Sequence, residues 1–187
     1  IRDGVASDEW SRLAPQHEVV IQATGSRRGD VDFTVADGAV VHDIADVRSG
    51  LVGLPTSGHV AIIDPIGGPI AVALAEELGE RAVLVTPDNI AGNELSRTGD
   101  LAPANVRLAQ RGVTIEKRSI VRAVEPRADG VSVRLQDRFS GEVRTIDVAA
   151  VVDAGFRLPA EPLAIERAVA AGDCVAPRTL YEAVLEG

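Results

Sequence analysis

The feature that most constrains the fold of this chain is a strand, turn and helix in succession over residues 60–71. Residues 60–63 are all apolar and predict a buried strand, and a turn with Gly67 and Gly68 follows. Apolar residues at i, i+3, i+4 and i+7 and a closing Gly79 indicate a helix over residues 69–78. This order of elements is the one that builds a phosphate-binding site for a dinucleotide.

The sequence after this segment predicts an α/β fold with a Rossmann-like parallel sheet. Strands over residues 82–85 and 113–116 flank a helix over 105–111, which is the alternation typical of parallel βαβ units. The segments 119–124, 131–135 and 143–148 have the shorter period of a β-meander, and an apolar strand over 148–152 follows. The remaining segments are predicted as a capped helix from Asp43 to about Arg48, a loop at 26–30, a connection between units at 54–58 and a final helix at 178–185.

The glycine turn departs from a complete dinucleotide fingerprint. The three small-residue positions fall on Ile66, Gly68 and Ala71, and the β-branched Ile66 resists the positive φ of the first position. The second strand ends in Thr86 rather than in the acid that binds ribose hydroxyls, and Asp64 brings a carboxylate near the expected phosphates. Two interpretations stay open: a nucleotide turn, or a Rossmann-like fold that has kept its packing and lost its ligand.

Two flanking segments carry a family resemblance. A predicted strand over residues 17–25 ends in Ala-Thr-Gly, and a predicted strand over 168–171 precedes Gly-Asp-Cys at 172–174. With the βαβ unit between them, they resemble the flavoprotein disulfide reductases, in which an NAD(P)-type domain is inserted into an FAD-type domain. Residues 151–159 look like the exit strand of the inserted domain.

Two further motifs narrow the resemblance. Residues 172–184 and the Leu-Val-Thr-Pro at 84–87 are similar to the C-terminal part of the trimethylamine dehydrogenase and 2,4-dienoyl-CoA reductase group. These are NADH:flavin oxidoreductases related to old yellow enzyme. The resemblance covers residues 18–187 and implies three segments: 1–54 from an FAD-type domain with a linker, 55–157 as the inserted NAD(P)-type domain, and 158–187 as the returning FAD-type segment.

The resemblance implies a cofactor site but no catalytic residue in this chain. FAD or ADP, or else NAD(P)H, is the expected ligand, and no metal ligands are expected. The implied cofactor-binding residues are Thr24, Gly25, Gly67, Gly68, Gly172 and Asp173. For each a plainer role stays open, since Thr24, Gly25 and Gly172 can simply end strands and Asp173 can cap the next segment.

The same resemblance places the redox centres elsewhere. The group's FMN barrel and iron–sulfur cluster would precede Ile1, and the single Cys174 cannot hold a cluster, which needs about four thiolates. We read Cys174 as a small buried residue and the Arg27-Arg28 pair as a solvated loop with an open role in phosphate contact. The chain alone is therefore expected to be inactive and to have the rest of a parent flavoprotein as its partner.

Composition limits the remaining alternatives. The formal net charge of -9 argues against nucleic acid or an anionic membrane as a partner, and one cysteine is consistent with a cytoplasmic setting. The absence of methionine and an aromatic content of 3% favour a fragment of a longer protein over a processed small one. A structural or ADP-binding module with a degenerate site stays open as the alternative function, and a free-standing NAD(P)-dependent enzyme is disfavoured.

Overall fold

The protein consists of two compact units in a computed structural model that describes residues 19–161, 163 and 168–177 and the single positions 9, 12, 13, 16, 179 and 184. The first unit combines Ile1–Gly29 with Arg157–Gly187, and the second is Asp30–Phe156. The second unit is therefore inserted in the chain between the two segments of the first.

The elements of the described residues define an α/β protein. The strands are β1 (Val20–Gln22), β2 (Ser26–Arg28), β3 (Thr34–Val35), β4 (Val41–Asp43), β5 (Val60–Ile63), β6 (Ala82–Val85), β7 (Thr114–Glu116), β8 (Ser119–Arg127), β9 (Gly130–Asp137), β10 (Val143–Val148), β11 (Ala150–Asp153), β12 (Arg157–Pro159) and β13 (Ala168–Ala170). The α-helices are α1 (Ile44–Arg48), α2 (Pro69–Leu78) and α3 (Leu101–Gln110), and 3-10 helices cover Gly79–Arg81, Asn93–Thr98 and Gly172–Cys174.

A parallel sheet of five strands, in the order β4-β11-β5-β6-β7, forms the centre of the second unit. Alternate residues of its inner strands face two different cores. Ile62 and Leu84 belong to the core formed with the helices, whereas Ile63 and Val85 belong to the core formed with the meander. Because both faces are covered, β5, β6 and β11 are buried at every position, which explains why β5 and β6 are entirely apolar and β11 is apolar up to its last residue, Asp153.

The meander is a second sheet, in the order β10-β9-β8-β3. Strands β8, β9 and β10 pair antiparallel, and β3 pairs parallel to β8 at its outer edge. Val133 and Leu135 of β9 are fully buried, and Arg134 between them is exposed. The predicted meander is confirmed, and so is the predicted fold class of an α/β protein with a parallel sheet.

The first unit contains two short strand pairs. Strand β1 pairs parallel with β13, and β2 pairs antiparallel with β12. Pairing between segments so distant in sequence explains why residues 26–28 form a strand, although their Ser-Arg-Arg sequence predicted a loop. The Arg157 guanidinium supports the pairing by donating to the backbone oxygen of Ser26 at 3.1 Å.

Several sequence predictions are corrected in detail. Helix α3 begins at Leu101 rather than Asn105, since Pro103 in its first turn lies where no intrahelical N–H donor is needed. The segment 54–58, predicted to connect two units, lies inside the second unit. Residues 30–54 also belong to the second unit, and their strand β4 pairs with β11. Within the strand predicted over 17–25, Ile21 is 66% exposed rather than buried. The helix predicted over 178–185 falls outside the described residues except at 179 and 184.

Other local predictions are confirmed. The Asp43 side chain accepts a hydrogen bond from the Ala45 N–H at 2.8 Å and caps α1, which ends at Arg48. The bounds of β5, α2 and β6 agree with the predicted ranges. The assignment of the segments to FAD-type and NAD(P)-type domains stays a prediction, because the division into units does not reveal a ligand.

The buried centre of the parallel sheet predicts a large cost for truncation. Leu84→Ala removes a fully buried side chain and is expected to lower the free energy of unfolding by about 2–5 kcal/mol. Leu51→Ala is the matched control because Leu51 is 79% exposed, and it should change that free energy by less than about 0.5 kcal/mol. Urea unfolding followed by circular dichroism measures both values, and equal values would contradict the assigned core.

Candidate functional site

The glycine turn after β5 is closed by a carboxylate of the chain itself. Asp64 Oδ1 accepts hydrogen bonds from the backbone N–H groups of Gly67 at 2.8 Å and Ile66 at 3.2 Å. The Asp64 backbone N–H donates to the Val85 oxygen at 2.8 Å, which continues the β5–β6 pairing by one residue. The turn is thus an Asx-type turn whose N–H donors point to Asp64.

Asp64 is an ionisable side chain in an almost dry position. It is 1% exposed, and burial raises its pKa from 3.8 to about 6, against the lowering effect of the hydrogen bonds from the backbone of Gly67 and Ile66. The nearby charge of Asp88 raises this pKa further. Within the described part of the chain, Asp64 Oδ2 has no hydrogen-bond partner. The carboxylate is therefore held by one of its two oxygens.

Position 67 requires glycine because its backbone has a positive φ and the backbone of Asn93 lies close to it. Its φ is +76°, and a Cβ added there would lie 2.9 Å from the backbone nitrogen of Asn93. The Glu94 N–H also donates to the Gly67 oxygen at 3.0 Å. Gly68 has an ordinary φ of -91° at the N-cap of α2, and a Cβ there would lie 3.8 Å from the closest side-chain atom, on Ile66.

The segment after β6 covers the first turn of α2. Gly92 has a φ of +70°, and an added Cβ would lie 2.8 Å from Leu95 Cδ1 and 3.1 Å from Val72 Cγ2. Asn105 of α3 holds this segment by donating to the Ala91 oxygen at 2.9 Å. Sequence reasoning missed the Asn93–Thr98 helix in this segment, and the signal available for it was the glycine at each end, Gly92 and Gly99.

A dinucleotide pyrophosphate does not fit this turn as it stands. The N–H donors that would bind a phosphate are engaged by Asp64, and the Asn93 backbone occupies the space in front of Gly67. In place of a ribose-binding acid, Thr86 is fully buried, and its Oγ1 accepts from the Asp88 N–H at 3.2 Å. The role of Gly67 and Gly68 as cofactor-binding residues therefore stays a prediction that the local geometry does not favour.

A cleft of about 460 Å³ lies at the carboxyl ends of β5, β6 and β11, within the second unit. This edge is where open parallel sheets bind ligands. Its charged lining residues are Asp30, Asp32, Asp88, Asp153 and Arg138. The Arg138 Nη1 is 3.8 Å from Asp88 Oδ1, so the one basic group of the lining is already beside a carboxylate. The excess of carboxylates makes the cleft unfavourable for a dianionic phosphate.

The first unit brings four of the predicted residues to one edge. Because β1 and β13 run parallel, Thr24 and Gly25 after one strand lie at the same sheet edge as Gly172 and Asp173 after the other. Gly25 has a φ of +77° and Gly172 a φ of +71°, and among the described residues no atom lies within 4 Å of a Cβ added to either. The backbone at both glycines is therefore open to close approach, unlike that at Gly67.

The buried amide of Gln22 organises this edge. Its Nε2 donates to Thr24 Oγ1 at 2.9 Å and to the Glu161 oxygen at 3.2 Å, and its Oε1 accepts from the Leu163 N–H at 3.0 Å. Gln22 is 5% exposed, so on folding these protein groups replace water as the hydrogen-bond partners of its amide. Sequence reasoning missed Gln22, since a glutamine in a short strand gives no signal of its long-range partners.

The structure also places Cys174 and Arg27, and it leaves a phosphate contact by Arg27 and Arg28 a prediction. Cys174 is buried, and its Sγ lies 3.1 Å from the Gln22 oxygen and 3.0 Å from the Ala171 oxygen, which confirms a small buried residue. Arg27 lies on β2 with its Nε 3.8 Å from Glu161 Oε1.

Among the described residues, no group of three potential metal ligands occurs, and no helix is long and apolar enough to cross a membrane.

Comparison with solved structures identifies the fold. Histamine dehydrogenase from Rhizobium sp. 4-9 matches 94% of this chain with a TM-score of 0.77 and 21% identity. The 6-hydroxypseudooxynicotine amine oxidase from Pseudomonas geniculata N1 matches 97% with a TM-score of 0.80 and 19% identity. Both are members of the trimethylamine dehydrogenase family, so the fold expected from the sequence resemblance is confirmed.

This chain corresponds to only part of those proteins. It spans 30% of the length of the histamine dehydrogenase and 29% of the amine oxidase. An HOCl-induced flavoprotein disulfide reductase from Escherichia coli matches 90% of this chain and 43% of its own length, with a TM-score of 0.64 and 17% identity. No protein-family model matches the sequence, and a search of curated proteins gives no match.

The two neighbouring glycines of the turn are predicted to respond differently to alanine. Gly67→Ala forces a side chain into positive φ and against the Asn93 backbone, so it should lower the free energy of unfolding by about 2 kcal/mol or more. Gly68→Ala meets neither obstacle and should cost less than about 1 kcal/mol. Urea unfolding of both variants measures the difference, and equal costs would show that Asn93 does not lie against Gly67.

Asp64 predicts a specific pH dependence of stability. Because folding raises the pKa of Asp64 from 3.8 to about 6, the folded state holds the proton more tightly than the unfolded state. This contribution is complete below about pH 4 and is lost as the pH rises through about 6, a change of at most about 3 kcal/mol. Denaturant unfolding between pH 4 and pH 8 measures it.

Asp64→Asn is the control for this effect, because the amide oxygen can accept the same backbone hydrogen bonds without a titrating proton. The difference in free energy of unfolding between wild type and Asp64→Asn should therefore shift against the wild type as the pH rises. Parallel pH profiles of the two proteins would show that Asp64 is not buried in the folded state.

Proposed function

We propose that this chain is the C-terminal nucleotide-binding part of an NAD(P)H:flavin oxidoreductase of the trimethylamine dehydrogenase and 2,4-dienoyl-CoA reductase group. It contributes binding of FAD or ADP, or of NAD(P), rather than the catalytic flavin site. The observation that carries this proposal is the sheet edge of the first unit at which Thr24, Gly25, Gly172 and Asp173 lie. The shared fold over 94% and 97% of this chain supports the family assignment.

This edge fits the adenosine part of a nucleotide. No atom of the described chain lies within 4 Å of a Cβ added to Gly25 or Gly172, so this backbone is the part of the edge that we propose a ligand contacts. Asp173 is exposed beside this space and can accept a hydrogen bond from a ribose or ribityl hydroxyl. From a buried site, Gln22 holds the Thr24 hydroxyl and the backbone groups of Glu161 and Leu163 in position.

Catalysis belongs to the rest of the parent protein in this proposal. Bound flavin would supply hydride or electron transfer, and FMN and the iron–sulfur cluster would be held by sequence outside this chain. In this proposal the residues of the first unit position a nucleotide at the β1–β13 edge. The chain alone is accordingly proposed to be inactive, with the remainder of a cytoplasmic flavoprotein as its partner.

A second candidate is a structural or ADP-binding module without a redox role. The engaged N–H donors of the Gly67 turn favour it, since they leave the second unit without a free phosphate turn. In that case ADP binding is expected without FAD binding, and the second unit serves packing.

Calorimetric titration of the 187-residue chain with ADP and with FAD tests the proposed site. We expect binding of ADP or FAD, and Asp173→Asn should weaken it about tenfold or more by removing a charged hydrogen-bond acceptor. Asp129→Asn is the matched control, because Asp129 is an equally exposed carboxylate in the β8–β9 turn of the other unit. No binding of either ligand, or equal losses in the two variants, would refute the proposal, and NADH turnover by this chain with added FAD would refute its inactivity.

A further inference from the structure

We propose that the glycine turn of the second unit is an anion site occupied from within, with the Asp64 carboxylate in the position of a dinucleotide phosphate. The turn consequently takes no NAD(P), which leaves FAD or ADP at the first unit as the ligands of the proposed function, and removal of the carboxylate frees the Ile66 and Gly67 N–H donors for a small anion. This inference does not depend on which nucleotide the first unit binds.

The position of the carboxylate carries the first step. A phosphate at a Rossmann-type turn accepts hydrogen bonds from the turn's backbone N–H groups at the start of the helix. Here Asp64 Oδ1 accepts the Gly67 N–H at 2.8 Å and the Ile66 N–H at 3.2 Å. The same donors cannot serve an external phosphate while these hydrogen bonds persist.

The Asp64 carboxylate lies in surroundings that exclude water and leave one of its oxygens without a described partner. Asp64 is 1% exposed, and within the described chain its Oδ2 has no hydrogen-bond partner. Burial of a carboxylate oxygen without a partner costs free energy. We attribute the compensation to the hydrogen bonds that the other oxygen accepts from the turn. Helix α2 also favours an anion here, because its first turn has no acidic residue and its N-cap Gly68 has no side-chain cap.

The backbone around Gly67 is closely packed, which also keeps a pyrophosphate away from the turn. The space that lets a pyrophosphate approach a glycine is filled by Asn93, whose backbone nitrogen would be 2.9 Å from an added Cβ. Glu94 fixes this arrangement by its hydrogen bond to the Gly67 oxygen. The turn is thus closed by a side chain on one side and by backbone on the other, and only the first of these can be removed by a single substitution.

Nitrogen-15 NMR of the 187-residue chain tests the inference at the turn itself. Formate, inorganic pyrophosphate, NADH and NADPH are the probes, and the amide signals of Ile66, Gly67 and Gly68 are the readout, so ligand in the first unit does not confuse the result. In the wild type these three amides should stay in place with every probe. A saturable shift of the Gly67 amide with NADH or NADPH would overturn the inference, whatever the variants do.

Two variants test the converse. In Asp64→Ala the space left by the carboxylate should admit formate, with saturable shifts of the Ile66 and Gly67 amides and an affinity at least about tenfold above that of the wild type. Asp64→Asn should show no such gain, because its amide oxygen still accepts the same N–H groups. A folded Asp64→Ala without the gain, or an equal gain in Asp64→Asn, would overturn the assignment of Asp64 as the internal anion.

Discussion

The hydrogen bonds from the Gly67 and Ile66 amides to the buried Asp64 carboxylate are the constraint on which the second unit depends. They fix the end of β5 against the start of α2, and thereby the crossover that builds the parallel sheet. The approach of Asn93 to Gly67 then ties the segment after β6 to the same turn. One carboxylate thus determines how strand, helix and covering segment meet.

The two sheet edges of the chain have opposite properties. At the first unit's edge, no described atom lies close to a Cβ added at Gly25 or Gly172, and the exposed Asp173 offers a hydrogen-bond acceptor. At the second unit's edge, the turn donors are used internally and the adjacent cleft is lined mainly by carboxylates. This contrast is the reason that we place the proposed nucleotide recognition in the first unit rather than at the glycine turn of the second.

Much of the fold could be predicted because burial on both faces leaves a direct mark on sequence. The unbroken apolar runs of β5 and β6 and the alternation around Leu135 gave correct elements. Strand β2 and the buried Gln22 were missed, since their structure comes from partners such as Arg157 and Leu163 that are remote in sequence. The sequence also showed that Asp64 conflicts with a phosphate, but not that its carboxylate replaces one, because hydrogen-bond direction requires coordinates.

The most direct test of this account is the titration of the Asp64 carboxyl carbon by carbon-13 NMR, together with the Gly67 amide proton. The account predicts that the carboxyl signal titrates with a pKa of about 6 and that the Gly67 amide reports the same midpoint. A carboxyl pKa near the ordinary 3.8, with a Gly67 amide indifferent to it, would contradict the central claim that Asp64 is buried in the turn.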